Sequence, residues 1–285
     1  MTSMQFPRTN VAGVSLPRII IGTNWILGYS HTGYAAEKRI LERNNNKKEM
    51  IDIIETYMTY GINAIMAPLS ANPFLNEAIQ SVEQKLGQEI IRIDTPNLNV
   101  DNSNKARKEA QTIIHNSASY GSRFCLIHHS SVEQLVNKNK EKIERLPDYL
   151  EMIRAEGMIP GLSAHMPEII LYSDSNEYDV ETYIQIFNCL GFMMQIEVET
   201  VSRIIHNAKK PVMSIKPLAA GRTTPYIGLT FSFAALRSCD MVTLGAFTPD
   251  EVHEDVEIAL AALEHRYPNI RTRSSPAKKQ SVLRT

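Results

Sequence analysis

The sequence lacks the cysteine patterns of a disulfide-rich or zinc-binding protein. Its 285 residues contain three cysteines and no Cys-x-x-Cys pair, so a disulfide framework and the usual spacing of a structural zinc site are both absent. Cys125, Cys189 and Cys239 lie in apolar segments, as reduced core cysteines do. Because reduced thiols are typical of the cell interior, we expect a cytoplasmic protein.

An excess of charge of one sign is also missing. The chain has 30 Lys and Arg against 31 Asp and Glu, a formal net charge of -1, so it has no basic footprint for nucleic acid or an anionic membrane. No apolar run approaches the roughly 20 residues of a membrane span, and residues 1–10 lack the apolar core of a signal peptide. We therefore expect a small-molecule ligand rather than a nucleic acid or a membrane; the oligomeric state is left open.

Eight short apolar segments recur along the chain, with helical patterns between them. Their starts are about 24 to 44 residues apart, which suits a repeating unit of strand, loop, helix and loop. Several are apolar throughout, as parallel strands covered on both faces are. The predicted strands are Arg18–Gly22, Ile62–Ala67, Glu89–Asp94, Phe124–His128, Met158–Leu162, Thr182–Phe187, Pro211–Ile215 and Met241–Leu244.

The helical segments between these strands carry terminal signals. Lys48–Tyr60, for example, has apolar residues at helical spacing and is followed by Gly61. Eight such units predict a (β/α)8 barrel, an α/β fold of the TIM type, within residues 1–270. An open doubly wound sheet would need a glycine-rich loop after its first strand, and Gly22-Thr23-Asn24-Trp25 is not one.

Two stretches fall outside the repeating pattern. The segment Gly28–Asn46 is long and polar, and it is either an active-site flap or an inserted loop. Residues 271–285 carry five basic residues and no acidic ones, and we expect a flexible C-terminal tail there rather than a cap on the barrel.

Six segments, in order, resemble motifs of the aldo-keto reductase family, across about residues 5 to 265. They correspond to the family's opening hairpin with its first strand, its second-strand lead-in, its fourth-strand histidine motif, its fifth strand, its seventh-strand turn and its eighth-strand phosphate loop. In this sequence they are Val11–Gly22, Gly61–Ile65, Leu126–His129, Glu156–Ser163, Lys216–Arg222 and Leu244–Glu251. The resemblance implies a barrel with a short N-terminal hairpin.

The resemblance also implies a chemistry that this chain departs from. The family reduces carbonyls with NADPH, using an aspartate, a tyrosine, a lysine and a histidine. Met66, Ala71 and Pro96 stand at the first three positions, and only His128 remains. Because methionine, alanine and proline cannot supply a proton, the family's acid catalyst is missing by this alignment.

The cofactor positions implied by the resemblance are mixed. The family's Ser-Asn pair reads Ser163-Ala164, and its ring-stacking tyrosine falls at Ile215. A loop from Gly245 to Glu251 leads into a capped helix, so it either binds a phosphate or keeps its shape without a ligand. The cofactor is undetermined, with NADP the one that the family implies. The candidate cofactor-binding residues are Ser163, Asn188, Gly221, Arg222, Gly245 and Thr248.

Polar residues collect at the predicted carboxyl ends of the strands, where barrel enzymes place their chemistry. Adjacent strand residues face opposite ways, so His128 is expected to face the barrel interior and His129 the helices. The candidate catalytic residues are His128, Lys216 and Asp94. The full set is Asn24, Asp94, His128, His129, Ser163, His165, Asn188 and Lys216.

Three interpretations of this set remain open. In a diverged enzyme acting on a small carbonyl or phosphorylated metabolite, His128 serves as acid or base. Lys216 then clamps a phosphate or forms an imine, whereas in a purely structural role it pairs with a mouth carboxylate such as Asp94. A rearranged NADP-dependent oxidoreductase is an alternative. The second interpretation is a metal site at Asp94, His128 and His165. The third is a non-catalytic barrel that binds a nucleotide or metabolite.

Overall fold

The barrel is built from the eight apolar segments predicted above. The computed structural model describes residues 5–43 and 47–270. The strands, in chain order, are β1 (Arg8–Val11), β2 (Val14–Pro17), β3 (Ile19–Gly22), β4 (Ala64–Ala67), β5 (Ile91–Asp94), β6 (Ser122–Ile127), β7 (Val136–Asn137), β8 (Lys142–Ile143), β9 (Ile159–Ala164), β10 (Thr182–Ile186), β11 (Val212–Ile215) and β12 (Met241–Leu244). Eight of them form a closed parallel barrel in the order β10-β11-β12-β3-β4-β5-β6-β9. The predicted (β/α)8 fold is confirmed.

Helices alternate with the barrel strands and cover the outside of the barrel. They are α1 (Asn24–Leu27), α2 (Tyr34–Arg43), α3 (Lys47–Met58), α4 (Pro73–Leu86), α5 (Asn104–Ser119), α6 (His129–Val132), α7 (Leu146–Ala155), α8 (Glu168–Ser175), α9 (Val198–Asn207), α10 (Pro225–Ala235) and α11 (Pro249–Leu263). Terminal signals set their ends: Ser103 accepts the Ala106 N–H to start α5, and Gly87 ends α4 with φ of 63°. In the described ranges, no helix combines the length and apolarity needed to span a membrane.

Alternating side chains divide the core into two layers. Residues such as Ile20, Met66 and Ile93 fill the barrel interior, and their strand neighbours Ile19 and Ile65 pack against the helices. The antiparallel hairpin β1–β2 adds Val11 and Leu16 to the interior layer. Position along a strand therefore decides whether a polar side chain at its end belongs to the barrel mouth or to the helical layer.

Of the two stretches outside the repeating pattern, the structure describes most of the first and none of the second. Helix α2 occupies much of the segment 28–46, so this segment is partly helical rather than one long loop. Residues 44–46 lie outside the described part of the chain, and so does the predicted tail at 271–285.

Candidate functional site

Three histidine rings, called the histidine stack below, lie against one another at the carboxyl end of the barrel, with His128 tilted by 48° to His129. His128 follows β6, His129 opens α6, and His165 follows β9. The ring centroids of His128 and His129 are 4.2 Å apart, and those of His129 and His165 are 3.7 Å apart at 15°. The expectation that His129 turns towards the helices is therefore wrong. The backbone leaves the strand at His128, so strand alternation no longer applies to the next residue.

Hydrogen bonds fix the orientation of the His128 ring. Its Nδ1 lies 2.7 Å from Ser130 Oγ and accepts the Ser130 backbone N–H at 3.4 Å. The His128 backbone N–H donates to the Pro96 carbonyl at 3.0 Å, which ties the start of α6 to the end of β5. Because Nδ1 acts as an acceptor, the proton of the neutral ring lies on Nε2.

Two of the three histidines are neutral at neutral pH. Burial, followed by the charges of His129 and Lys216, lowers the pKa of His128 to about 4. The same causes in the same order lower the pKa of His165 to about 3. Both rings therefore act as neutral hydrogen-bonding groups, and neither carries a positive charge near pH 7.

Glu133 lies beside the stack and connects the segment after β6 to the segment after β9. One carboxylate oxygen accepts the backbone N–H groups of His165 at 2.6 Å and Met166 at 2.8 Å. The other lies 3.8 Å from His129 Nδ1. Burial opposes ionisation, but hydrogen bonds from His129 and the two amides outweigh it, and the pKa of Glu133 is lowered. Sequence reasoning missed Glu133, although it follows His129 by four residues and caps the end of α6 about one helical turn away.

Lys216 follows β11 in a left-handed backbone conformation, with φ of 59°. Its side chain is half-buried, and burial lowers its pKa to about 8. Its charge contributes to the lowered pKa of both His128 and His165, and all three residues lie at the carboxyl end of the barrel. Among residues 5–43 and 47–270, no carboxylate forms an ion pair with it.

Asp94, predicted at the mouth, faces the helical layer instead. It pairs in register with Ala67 and Cys125, which both belong to the outer layer. Its carboxylate is fully buried and accepts the backbone N–H groups of Leu69 at 2.7 Å and Ser70 at 3.2 Å. The expected ion pair with Lys216 is therefore not formed, and the Asp94 carboxylate instead holds the turn after β4.

The structure does not bring the hypothetical metal ligands together. Asp94 lies in the outer layer, away from the side of the sheet that carries His128 and His165. Within the described ranges, no group of three or more His, Cys, Asp or Glu side chains is arranged to hold a metal ion.

Two of the predicted cofactor-binding residues are buried at the strand ends. Ser163 pairs in register with Ile184 of the interior layer and faces into the barrel. Asn188 instead uses its side chain within its own turn: its Oδ1 accepts the Leu190 and Phe192 N–H groups, and its Nδ2 donates to the Phe192 carbonyl. Asn188 is therefore a turn-forming residue.

The turn after β11 contributes Gly221 and Arg222 to the same end of the barrel. Ala219, Ala220 and Gly221 all have positive φ, which folds the turn tightly. The Arg222 guanidinium lies 3.9 Å from the centre of the Phe192 ring, within cation–π distance.

The segment between α1 and α2 reaches the same site through His31. Burial, followed by the charge of Lys216 and more weakly that of Arg222, lowers the pKa of His31, although Glu37 opposes this. His31 Nε2 lies 3.1 Å from Asn24 Nδ2, which anchors it at the end of β3. This position supports the flap interpretation of the segment over that of a remote insertion.

The predicted phosphate loop before α11 is occupied by the chain's own groups. Thr248 caps the helix by accepting the Glu251 N–H at 3.1 Å, and a Glu251 carboxylate oxygen accepts the Phe247 N–H at 2.6 Å. A Cβ on Gly245 would lie 3.1 Å from both Gly22 O and Trp25 Cδ1, so packing accounts for this glycine. These contacts favour the alternative in which the loop keeps its shape without a phosphate.

Comparison with solved structures supports the resemblance inferred from the sequence. A protein described as an aldo-keto reductase from Pseudomonas aeruginosa matches with a TM-score of 0.64 at 15% identity, covering 90% of this chain and 95% of that one. An aldo-keto reductase from Brucella melitensis matches with a TM-score of 0.55 at 13% identity, covering 91% and 99%.

More distant barrels also match. A Rubisco from Hyperthermus butylicus has a TM-score of 0.52 at 11% identity, covering 78% of this chain and 57% of that one. No protein-family model matches the chain, and no curated protein does. At these identities the likeness is one of fold. The chain therefore shares its barrel fold with these two aldo-keto reductases, over nearly the whole length of each.

Proposed function

We propose that this barrel is an enzyme that binds a small anionic carbonyl compound at its carboxyl-terminal mouth. The observation that carries the proposal is Lys216, which is half-buried at the carboxyl end of β11 and forms no ion pair with any carboxylate of the described chain. A buried cation without a counter-ion is unfavourable. A carboxylate or phosphate on the ligand would remove this cost.

Further basic groups around Lys216 extend the attraction for an anion. The Arg222 guanidinium is held over Phe192 in the turn after β11, and its charge, like that of Lys216, disfavours protonation of His31. The carboxylates nearby are committed elsewhere: Glu133 to backbone amides and His129, Asp94 to the outer layer. The mouth therefore favours ligands with one or two negative charges.

His128 supplies the polar group for the carbonyl. Since its Nδ1 is an acceptor, its Nε2–H is the donor that the ring offers to a ligand oxygen. A neutral imidazole at this position can polarise a carbonyl without the Asp, Tyr and Lys that the sequence replaces.

Ligand binding tests the proposal directly. We expect pyruvate and dihydroxyacetone phosphate to raise the melting temperature of the full chain, and acetone to have no effect, because binding to the native state stabilises it. Lys216→Met should abolish the stabilisation. Lys105→Met, which changes a side chain 86% exposed on α5, is the matched control and should retain it. Equal responses to acetone and pyruvate, or equal responses of both variants, would contradict the proposal.

A further inference from the structure

Lys216 differs from the other partly buried lysines of the described chain. Lys210, for example, is also half-buried, and it donates to Glu181 at 2.9 Å. Lys216, by contrast, forms no ion pair with a carboxylate of the described residues, and it lies at the same end of the barrel as His128 and His165. A lysine that only balanced charge would be expected to keep a carboxylate partner, as Lys210 does.

The backbone at Lys216 is strained. A positive φ is unfavourable for a residue with a side chain, and it persists where the surrounding structure enforces it. The Lys216 carbonyl accepts the Ala219 N–H at 2.9 Å, so the tight turn that follows holds this conformation. The turn therefore fixes the position of Lys216 at the end of β11.

We propose that Lys216 is the nucleophile of a covalent step, in which its Nζ attacks the carbonyl carbon of a small oxo acid or phosphorylated ketone to form an iminium ion. This inference rests on the proposed function, because it uses the same site and the same class of ligand. It adds a bond between protein and substrate, which charge recognition alone does not require.

The electrostatic setting supports such a step. An amine must be neutral to attack a carbonyl carbon. Burial lowers the pKa of Lys216 to about 8, so about a tenth of the amine is neutral at pH 7, far more than for an ordinary lysine. No carboxylate of the described residues is placed to restore the charge.

The step balances in atoms and electrons. The nitrogen lone pair forms the bond to the carbonyl carbon, and the π pair of the C=O bond moves onto oxygen, giving a carbinolamine. One proton from the nitrogen and one from solution leave with the oxygen as water, and the C=N⁺ bond forms. No oxidant or reductant is consumed. The His128 Nε2–H is the donor available to the departing oxygen.

The iminium ion would activate the neighbouring carbon. A positively charged C=N⁺ group withdraws electron density from the adjacent C–H bonds, so that a base can remove a proton there. His165 is neutral and lies at the same end of the barrel as Lys216, and it is the imidazole we assign to that base. The expected reaction class is proton exchange, or carbon–carbon bond chemistry, next to the carbonyl.

Borohydride trapping is the decisive experiment. The full chain is incubated with pyruvate or dihydroxyacetone phosphate, reduced with sodium borohydride, and analysed by intact mass and peptide mapping. We expect one adduct per chain, on the peptide containing Lys216, with the mass of the probe less one oxygen atom. Lys216→Met and Lys216→Arg should show none, whereas Lys105→Met should match the unaltered chain.

A second readout does not depend on trapping. Methyl protons of pyruvate in D2O should exchange faster with the protein than without it, and Lys216→Arg should remove the acceleration although it keeps a positive charge at this position. Pyruvate stabilisation without adduct or exchange would overturn the covalent step and leave the proposed function standing. The absence of any stabilisation by either probe would overturn both. Adducts spread over surface lysines would also overturn the covalent step.

Discussion

The rings of His129 and His165 are stacked at 3.7 Å with an angle of 15° between their planes. The two residues belong to neighbouring βα units, one opening α6 and the other following β9. Glu133 holds both: it accepts the His165 backbone N–H and faces His129 Nδ1. The geometry next to Lys216 therefore depends on a carboxylate that does not itself belong to the proposed reacting groups.

Replacing Glu133 should destabilise this arrangement, and the loss of free energy of unfolding should grow with the number of interactions removed. Glu133→Gln keeps an acceptor oxygen and loses the charge, and we expect a loss of about 1 kcal/mol in the free energy of unfolding. Glu133→Ala leaves the His165 and Met166 amides without their acceptor, and the loss should be about 2–3 kcal/mol. Urea unfolding measures both values.

The control for Glu133 is another glutamate whose ion pair is exposed. Glu144 pairs with Lys140 at 3.1 Å on the protein surface, so Glu144→Gln should change the unfolding free energy by no more than about 0.5 kcal/mol. Equal effects of Glu133→Ala and Glu144→Gln would show that Glu133 does not anchor the β9–α8 loop.

Acid should destabilise the protein through the stacked histidines. The folded-state pKa values of His128 and His165, about 4 and about 3, lie below the ordinary value of 6.5. Between these values the unfolded chain binds more protons than the native one, so stability falls as pH falls from about 6.5 towards 4. The denaturant concentration at the unfolding midpoint should therefore be lower at pH 5 than at pH 7.

The substitution His165→Asn should make stability depend less on pH, because asparagine does not titrate. His206→Asn changes an exposed residue near the end of α9 and should leave the pH dependence as it is. A profile that is unchanged in His165→Asn would show that this ring is charged in the folded protein at pH 5.

NADPH-dependent reduction of simple aldehydes should be absent. Met66 lies in the barrel interior, Pro96 is buried, and neither can donate a proton. Ala71, at the position implied for the tyrosine, is exposed in the turn after β4 and is equally inert. Loss of NADPH absorbance with glyceraldehyde as substrate measures this activity. Turnover by the unaltered chain well above that of a Lys216→Met, His128→Asn double variant would show that the chain retains a reductase mechanism with other groups.

The fold was predictable because burial leaves a simple pattern. The barrel strands are covered on both faces, so several of them are nearly all apolar, as in β3 and β12. The predicted segments therefore coincide with the observed strands, apart from end differences such as Ile62 against Ala64 at the start of β4.

The sequence predicted the positions of site residues only where they directly follow a strand. His128 and Lys216 follow β6 and β11 directly, which the apolar pattern locates. Asp94 was misplaced although β5 alternates as Ile-Arg-Ile-Asp, a pattern that puts Arg92 and Asp94 on the face opposite the inward-facing Ile93. The stacking of His129 depends on a backbone turn, and the occupation of the α11 loop depends on the Glu251 carboxylate; neither follows from spacing alone.

The absence of a side chain at Gly161 sets how closely β9 packs against β6 and β10 beneath the histidine stack. A Cβ there would lie 2.7 Å from Leu126 Cγ and 2.8 Å from the Thr182 carbonyl oxygen, so Gly161→Ala should destabilise the protein by about 1–3 kcal/mol through overpacking. Gly157→Ala is the control, because its Cβ meets nothing within 4 Å and its cost comes only from a φ of 76°.

A double variant separates overpacking at Gly161 from a general intolerance of substitution. Leu126→Ala alone opens a cavity in the barrel interior and should cost about 2–5 kcal/mol. With Leu126→Ala in place, the Cβ of Gly161→Ala gains room on the side-chain side, and only the Thr182 carbonyl still resists it. The double variant should therefore lose less free energy of unfolding than the sum of the two single losses. Strict additivity would show that Leu126 is not the group that opposes a side chain at position 161.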